Sequence, residues 1–351
     1  MRYRRRAAAL ATAFALTTTL YGCAPSPTPP VTENLSHGRF RDVVLTYPAA
    51  RGGATAPVAV VLLLSGDTGW GSDTNELAAR FAARGALVIG IDLPTFRDAL
   101  NGDAAACVYP DGDLENLTRF VEAYRHLPSY VPPILAGMGA GASLAQATLA
   151  QAPAGMFAAG LGVGNSPDTR LTKPLCPAPA SARPATWLVT GPDWSGAFDQ
   201  LVAASAPARA AAPPASLQDL PLVEVPAATA ARATDSFAIM LSGDGGWAGI
   251  DKEVAAALAA AGVPVVGLDS LRYFWTPRTP DGIAADLGRI IRYYTVAWHR
   301  PKVLLIGYSQ GADVLPFAVN RLPRDAAAQV ALAAVLGLSP HALLNSILAT
   351  G

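Results

Sequence analysis

The sequence predicts an α/β fold made of two tandem units, each with a mostly parallel sheet. A six-residue motif, Ser65–Trp70, returns as Ser242–Trp247, and a dense apolar run precedes each copy. The interval from the motif serine to the aspartate that ends the next apolar run, Asp92 or Asp269, is 27 residues in both copies. Short runs that are apolar throughout and alternate with helical stretches are typical of parallel sheets covered on both faces.

Length and composition agree with this fold. The chain has 351 residues, which suggests about two domains of ordinary size. Its 26 Lys and Arg balance 26 Asp and Glu, and only 15% of residues are charged. Because the arginines form no basic stripe, we expect no nucleic-acid partner. Three cysteines and four histidines offer little material for a metal site. We therefore predict neither a metal nor an organic cofactor.

The N-terminus reads as an export signal. Residues 1–22 combine four arginines within the first six positions with an apolar run too short to span a bilayer comfortably. The run ends in a lipobox-like sequence before Cys23, which predicts a lipoprotein tethered to a membrane in the periplasm. Simple cleavage and an uncleaved anchor are the alternatives. Residues 23–36 are Pro-rich and read as an extended tether.

The two units have predicted boundaries. We place the N-terminal unit at residues 37–202, an Ala/Pro-rich linker at 203–219 and the second unit at 220–351. Export to an oxidising compartment makes a disulfide between Cys107 and Cys176 plausible. Two unrelated buried thiols are the alternative.

The second unit carries the chemistry. Gly307–Gly311 has the form G-x-S-x-G and stands between an apolar strand and a helix-forming stretch, which is the context of a nucleophile elbow. Ser309 is then the nucleophile, and the N–H of Gln310 contributes to the oxyanion hole. The first unit has Gly139 at the nucleophile position, so it is expected to be catalytically silent. Ser143, further along its helix, reads as a packing residue.

The Gly-rich motif of the second unit is expected to supply the other oxyanion donor. Asp244 or Gly245 is the predicted donor, and Asp244 is also suited to recognise a cationic group of the substrate. The first unit has Asp67 at the same motif position. A purely structural role, such as capping the next helix, therefore stays open for Asp244.

These residues support a resemblance to a known family. Ser242–Trp247, Leu271–Pro280 and Gly307–Asp313 together resemble the AcvB/VirJ family of bacterial virulence-associated proteins. The resemblance implies an exported α/β-hydrolase that cleaves the aminoacyl ester of aminoacyl-phosphatidylglycerol, especially the lysyl form, through an acyl-enzyme on Ser309. It thus implies a membrane phospholipid as substrate. It also suggests periplasmic protein partners, because shorter VirJ-type members are linked to type IV secretion.

The sequence departs from the pattern after the nucleophile. Catalytic acid and histidine normally follow on two further strand ends, and we expect the second unit to stop before them. His341 is the only later histidine, in an unusual place for a base. Asp313 reads as structural, Asp325 as a solvated loop residue, and His299 as lying at the opposite end of the sheet from Ser309.

Two explanations fit this departure, a truncated or frame-disrupted chain and a natural remnant. Either predicts weak or no hydrolase activity. Truncation also predicts that residues 331–338 form an uncovered edge strand. The competing functions are a non-catalytic periplasmic lipoprotein that binds partners through the silent unit, and a general carboxylesterase.

Overall fold

The computed structural model describes residues 31–48, 56–127, 130–165, 168–178, 185–191, 194–205, 215–229, 234–342 and 344. The predicted signal segment, Cys23 and most of the predicted tether lie outside these residues. Among the described helices, none has the length and apolar character that a membrane crossing requires.

The first unit is a seven-stranded sheet with helices on its faces. The strand order is β1-β2-β4-β3-β5-β6-β7, and the strands from β4 to β7 are mutually parallel. Its central strands β3 and β4 are buried along their whole length, as the apolar runs predict. The elements are β1 Thr32–His37, β2 Phe40–Thr46, β3 Ala59–Leu64, α1 Ser72–Ala83, β4 Ala86–Ile91, α2 Leu93–Asn101, α3 Pro110–Tyr124, β5 Ile134–Gly139, α4 Ala140–Gln151, β6 Ala159–Asn165, β7 Trp187–Thr190 and α5 Ser195–Ser205.

The second unit repeats this plan with five strands. The strand order is β12-β11-β9-β10-β8, with β8 antiparallel to β10 and the remaining pairs parallel. Both units thus have the predicted α/β architecture of parallel strands and covering helices. The elements are β8 Leu222–Val225, β9 Ser236–Leu241, α6 Gly249–Ala260, β10 Val265–Leu268, α7 Ser270–Tyr273, α8 Pro280–Ala297, β11 Lys302–Tyr308, α9 Gln310–Val319, α10 Arg324–Ala327 and β12 Val330–Leu336.

Several predicted boundaries differ from the structure. The tether predicted to reach residue 36 is too long, because Thr32–His37 pairs antiparallel with β2 and satisfies its backbone groups there. The predicted linker of residues 203–219 includes the end of α5 and a short 3-10 helix, Ala215–Leu217, whose Leu217 is buried in the second core. Asp325 lies in α10 rather than in a loop, and it pairs with Arg292.

The edge of the second sheet is open, as predicted. Among the strands that the structure describes, β12 pairs with β11 alone. Its apolar side chains are largely exposed, with Leu332 at 53% and Leu336 at 40%. This strand therefore offers unpaired backbone groups and apolar side chains to any chain that approaches it.

A disulfide joins Cys107 to Cys176. Backbone hydrogen bonds flank it, from the Cys176 N–H to the Val108 carbonyl at 3.0 Å and from the Val108 N–H to the Pro174 carbonyl at 3.1 Å. The bond lies three residues before α3 begins, so it ties the start of that helix to a distant segment of the first unit.

Helix α3 forms the main polar contact between the units. Its Glu115, Arg119 and Glu122 recur at helical spacing and are all at most 2% exposed. Arg119 contacts Glu115 at 2.9 Å within the helix and Asp269 of the second unit at 3.5 Å. Its guanidinium also lies 3.9 Å from the ring centroid of Tyr130. A buried cation thus shares carboxylates from both units.

Two further polar side-chain contacts cross between the units. Lys252, in α6, reaches Glu115 at 2.8 Å, and Arg272, in α7, reaches Glu122 at 3.4 Å. Although burial opposes it, Arg119 and Lys252 hold the pKa of Glu115 below its ordinary value. The charge of Glu115 is therefore stabilised from both units, by Arg119 of the first and by Lys252 of the second.

We predict that Arg119→Met destabilises the protein by about 3–5 kcal/mol, because it leaves buried carboxylates short of a cation. Arg292→Met is the matched control, since Arg292 pairs with Asp325 at the surface and exposed pairs contribute little. Urea unfolding of both variants measures the difference. Equal losses in the two variants would show that the buried contact contributes no more than a surface pair.

Candidate active site

Ser309 occupies a strained turn between β11 and α9. Its backbone has φ +49° and ψ −118°, a conformation that residues other than glycine rarely adopt. The Ser309 N–H donates to the Leu336 carbonyl at 2.9 Å, and its carbonyl accepts the Asp313 N–H at 3.0 Å. The half-buried serine thus follows a strand directly and precedes a helix directly, which is the geometry of a nucleophile elbow.

The two glycines of the elbow are required by close approach. A Cβ at Gly307 would lie 2.4 Å from the Gly311 carbonyl oxygen. A Cβ at Gly311 would lie 2.2 Å from the Leu241 carbonyl oxygen of β9. No side chain fits at either position, so the G-x-S-x-G spacing follows directly from packing the elbow helix against two strands.

The loop Ser242–Trp247, which we call the oxyanion loop, lies beside this elbow. A Cβ at Gly243 would lie 3.4 Å from the Ser309 Cβ, so the loop passes close to Ser309 at Gly243. The loop is anchored at Ser242, whose hydroxyl accepts the Ser270 N–H at 2.9 Å and whose carbonyl accepts the Ser270 hydroxyl at 2.6 Å. The Gly311 N–H also donates to the Ser242 carbonyl, at 3.1 Å, which joins the loop to the elbow helix.

The predicted oxyanion residues divide into two groups. Asp244 and Gln310 line a cavity with Ser309, and Gln310 is buried as the first residue of α9. Gly245 does not line this cavity. It faces the first unit instead, where a Cβ would lie 3.5 Å from the Asn116 side-chain nitrogen. The glycine beside Ser309 is Gly243, which the same motif contains but which the sequence analysis did not select.

The cavity around Ser309 has a volume of about 290 Å³. Its remaining lining residues are Asp313, Ser339 and His341. The Asp313 carboxylate accepts hydrogen bonds from the Ser339 N–H at 2.6 Å and the Ser339 hydroxyl at 2.8 Å. The same hydroxyl oxygen lies 2.7 Å from the His341 carbonyl oxygen, so its one proton can be given to either acceptor. Asp313, predicted to be structural, therefore holds the segment that carries His341.

His341 thus shares a cavity with Ser309, although its place in the sequence argued against a role as base. The segment after β12 turns back over the elbow helix, and a strand-by-strand comparison does not predict that turn. His299 lies between α8 and β11, before the start of β11, whereas Ser309 follows the other end of that strand. Asp325 is paired with Arg292 and does not line the cavity.

The cavity is acidic. Asp244 is exposed, and among the described residues neither it nor Asp313 forms an ion pair with a lysine or arginine. The first copy differs, because Asp67 pairs with Arg97 at 2.7 Å and Arg170 at 3.7 Å. Neither aspartate caps the following helix, since the N-caps are Gly71 and Ala248. Asp67 is therefore neutralised where Asp244 remains available to a cation.

The first unit repeats the elbow without its serine. Gly139 has φ +53° and ψ −117°, within a few degrees of Ser309. The nearest hydroxyl on the following helix is that of Ser143, which lies 3.5 Å from the Gly139 carbonyl oxygen. The same turn is thus present in both units, with glycine in the first and serine in the second. The described residues contain no cluster of three or more His, Cys, Asp or Glu side chains arranged to hold a metal ion.

Comparison with known families agrees with the resemblance found in the sequence. Residues 235–346 match the family described as bacterial virulence protein (VirJ). The second unit resembles VirJ. This match spans β9 to β12 and includes the oxyanion loop, the elbow and His341, so the VirJ-like region holds every residue of the cavity. No curated protein matches the chain at a significant level.

Solved structures with detectable similarity are distant. Apo Thermogutta terrifontis esterase 2 is 16% identical, with a TM-score of 0.30, over 52% of this chain and 81% of the esterase. TT1662 from Thermus thermophilus is 15% identical, with a TM-score of 0.27, over 92% of this chain and 94% of its own. A monoglyceride lipase from Saccharomyces cerevisiae is 12% identical, with a TM-score of 0.27, over 89% of each chain. Scores this low add nothing to the assignment.

We predict that Ser309→Gly stabilises the protein by about 1 kcal/mol relative to Ser309→Ala. Relief of a strained backbone is worth about 1–3 kcal/mol, which exceeds the entropic cost of glycine at about 0.5–1 kcal/mol. The reciprocal change Gly139→Ser should destabilise, although no atom lies within 4 Å of the position a Cβ would take there. Urea unfolding compares the three variants. Equal stability of the Gly and Ala variants would show that the turn is not strained.

Proposed function

We propose that the VirJ-like unit is a serine ester hydrolase for substrates whose acyl group carries a positive charge. The observation that carries this proposal is the cavity itself, in which an elbow serine is surrounded by two carboxylates without cationic partners among the described residues. An aminoacyl ester is such a substrate, because its α-amino group is protonated at neutral pH. A lysyl ester adds a second ammonium group.

The proposed reaction gives each of these residues a role. The Ser309 oxygen attacks the ester carbonyl and transfers its proton to a base, for which His341 is the histidine in the cavity. In this proposal, the backbone N–H of Gln310 and an N–H of the oxyanion loop stabilise the negative charge that develops on the carbonyl oxygen. The alcohol leaves with a proton, and water then releases the amino acid from the acyl-enzyme.

The substrate that best fits this chemistry is aminoacyl-phosphatidylglycerol. Its acyl group is cationic, and its leaving alcohol is the glycerol of a membrane phospholipid. The predicted lipidation at Cys23 supports the proposal, because it would hold the enzyme beside the membrane that contains the substrate. A general carboxylesterase would not need an acidic cavity.

We predict that a fluorophosphonate probe labels the purified protein and does not label Ser309→Ala. Activated serines react with this probe, whereas ordinary hydroxyl groups do not. His341→Gln should slow the labelling rate by at least about 10²-fold if His341 is the base. Unchanged labelling of the His341 variant would remove that role and leave the nucleophile. Absence of labelling in the unaltered protein would overturn the hydrolase proposal and favour the non-catalytic binding protein.

We predict that Asp244→Asn raises KM for a lysyl ester by about tenfold, which corresponds to about 1.4 kcal/mol, and leaves KM for a neutral acyl ester unchanged. Asp67→Asn is the matched control, since it changes the same motif position in the silent unit, where arginines already pair with the carboxylate. Steady-state hydrolysis of both esters measures the effect. Equal loss on the two substrates would contradict recognition of the cation by Asp244.

A further inference from the structure

The segment Leu271–Pro280 has no part in the cavity around Ser309, although it is one of the three segments that carry the resemblance. It forms most of α7 and the loop that follows, at the end of β10. Three of its side chains, Arg272, Trp275 and Arg278, line a second cavity of about 230 Å³. Residues of the first unit, including His126 and Leu127, line the other side. This second cavity therefore lies between the units, and both contribute to it.

Arg278 is held in place by neutral groups. Its Nε donates to the Tyr273 carbonyl at 2.9 Å, and its guanidinium lies 4.4 Å from the centroid of the Tyr273 ring. Within the described part of the chain, no carboxylate comes within ion-pair distance of it. The terminal N–H groups of a guanidinium fixed in this way form a planar fork that matches the oxygens of a phosphate.

Arg272 adds a second cation. One of its terminal nitrogens donates to the Leu127 carbonyl at 2.7 Å, and the other lies 3.4 Å from Glu122. Burial raises the pKa of Glu122 to about 8, because it outweighs the lowering of that pKa by the neighbouring Arg272. At neutral pH that carboxyl is therefore largely protonated, and the positive charge of Arg272 is not cancelled.

The acid in the lining is already paired. Asp219 forms two hydrogen bonds with Arg289, at 2.6 and 2.8 Å, and Arg289 also contacts Asp286 at 3.0 Å. These three groups together carry one negative charge, against the two positive charges of Arg272 and Arg278. The cavity and its nearest charged neighbours therefore retain a net positive charge, which favours an anionic ligand.

The rest of the lining suits the organic part of such a ligand. Trp275 packs edge-on against Phe120 of the first unit, with ring centroids 5.6 Å apart, and presents an apolar wall. Gln218 supplies an amide that can donate to and accept from hydroxyl groups. We propose that this cavity binds a phosphate ester of a small polyol, as in glycerophosphate, whether free or as the head group of a phospholipid.

The test uses the full chain with Ser309→Ala, so that hydrolysis plays no part and failure of the proposed enzyme activity leaves the result readable. Titration calorimetry with glycerol 3-phosphate and with inorganic phosphate measures binding of free ligands. Co-sedimentation with phosphatidylglycerol vesicles, compared with phosphatidylcholine vesicles, measures binding to the head group. Adding Arg278→Gln should weaken binding to each responsive probe by at least about tenfold, as expected for loss of a charged contact to phosphate.

Arg292→Gln is the matched control, because its pair with Asp325 lies outside the cavity, and it should bind like the parent. Arg278→Lys should restore part of the affinity, which separates a charge effect from misfolding. Saturable binding of the free ester alone assigns a soluble ligand, and preference for phosphatidylglycerol vesicles alone assigns the lipid head group. No saturable binding of any probe, or equal affinity of Arg278→Gln and the parent, would overturn the proposal.

Discussion

A buried arginine, Arg119, lies among carboxylates from both units. Arg119 belongs to a helix of the first unit, yet one of the carboxylates around it, Asp269, belongs to the second. Removing a guanidinium from water is costly unless carboxylates meet it, so the first unit is incomplete without the second. Asp269 also caps α7, and its carboxylate lies where a side chain on Gly246 would be. The cation of the silent unit therefore acts on the oxyanion loop through one shared residue.

This arrangement explains how a unit without a nucleophile contributes to a site. In the first copy, the equivalent Asp92 accepts the Trp70 N–H at 2.7 Å and so closes its own Gly-rich loop. In the second copy, Asp269 faces Arg119 across the contact between the units. Helix α3 also lies beside the oxyanion loop, because a Cβ at Gly245 would be 3.5 Å from the Asn116 side-chain nitrogen. Both loops are thus held from within their own units, and the second also lies beside the neighbouring unit.

Much of the fold could be predicted from sequence because it depends on local patterns. Apolar runs located the central strands, and the repeated motif and interval showed that one α/β plan occurs twice. The hairpin of β1 and β2 escaped prediction because β1 alternates exposed and half-buried residues and lacks a dense apolar run. The contact made by α3 joins residues more than a hundred positions apart, and no spacing in the sequence marks such a pair.

The site divides in the same way. The elbow around Ser309 can be predicted from residue spacing alone, because its glycines are required by close backbone contacts that any such turn makes. The role of Asp244 could not be decided, because its copy Asp67 looks identical in sequence and differs only in having Arg97 and Arg170 nearby. The position of His341 beside Ser309 cannot be predicted by counting strands, because His341 lies in an irregular segment after β12. Side-chain pairing and loop paths are tertiary facts, and they carry most of what distinguishes the two copies.

The disulfide before α3 has a consequence for where the protein matures. Cys107 restrains the segment that precedes helix α3. This helix carries Arg119 and lies beside the oxyanion loop. In a reducing compartment that covalent restraint is absent, and the helix relies on its packing and buried charges alone. In an oxidising compartment the disulfide links the segment before the helix to Cys176. The redox environment of the chain therefore affects the stability of the contact between the two units, although the disulfide takes no part in the reaction.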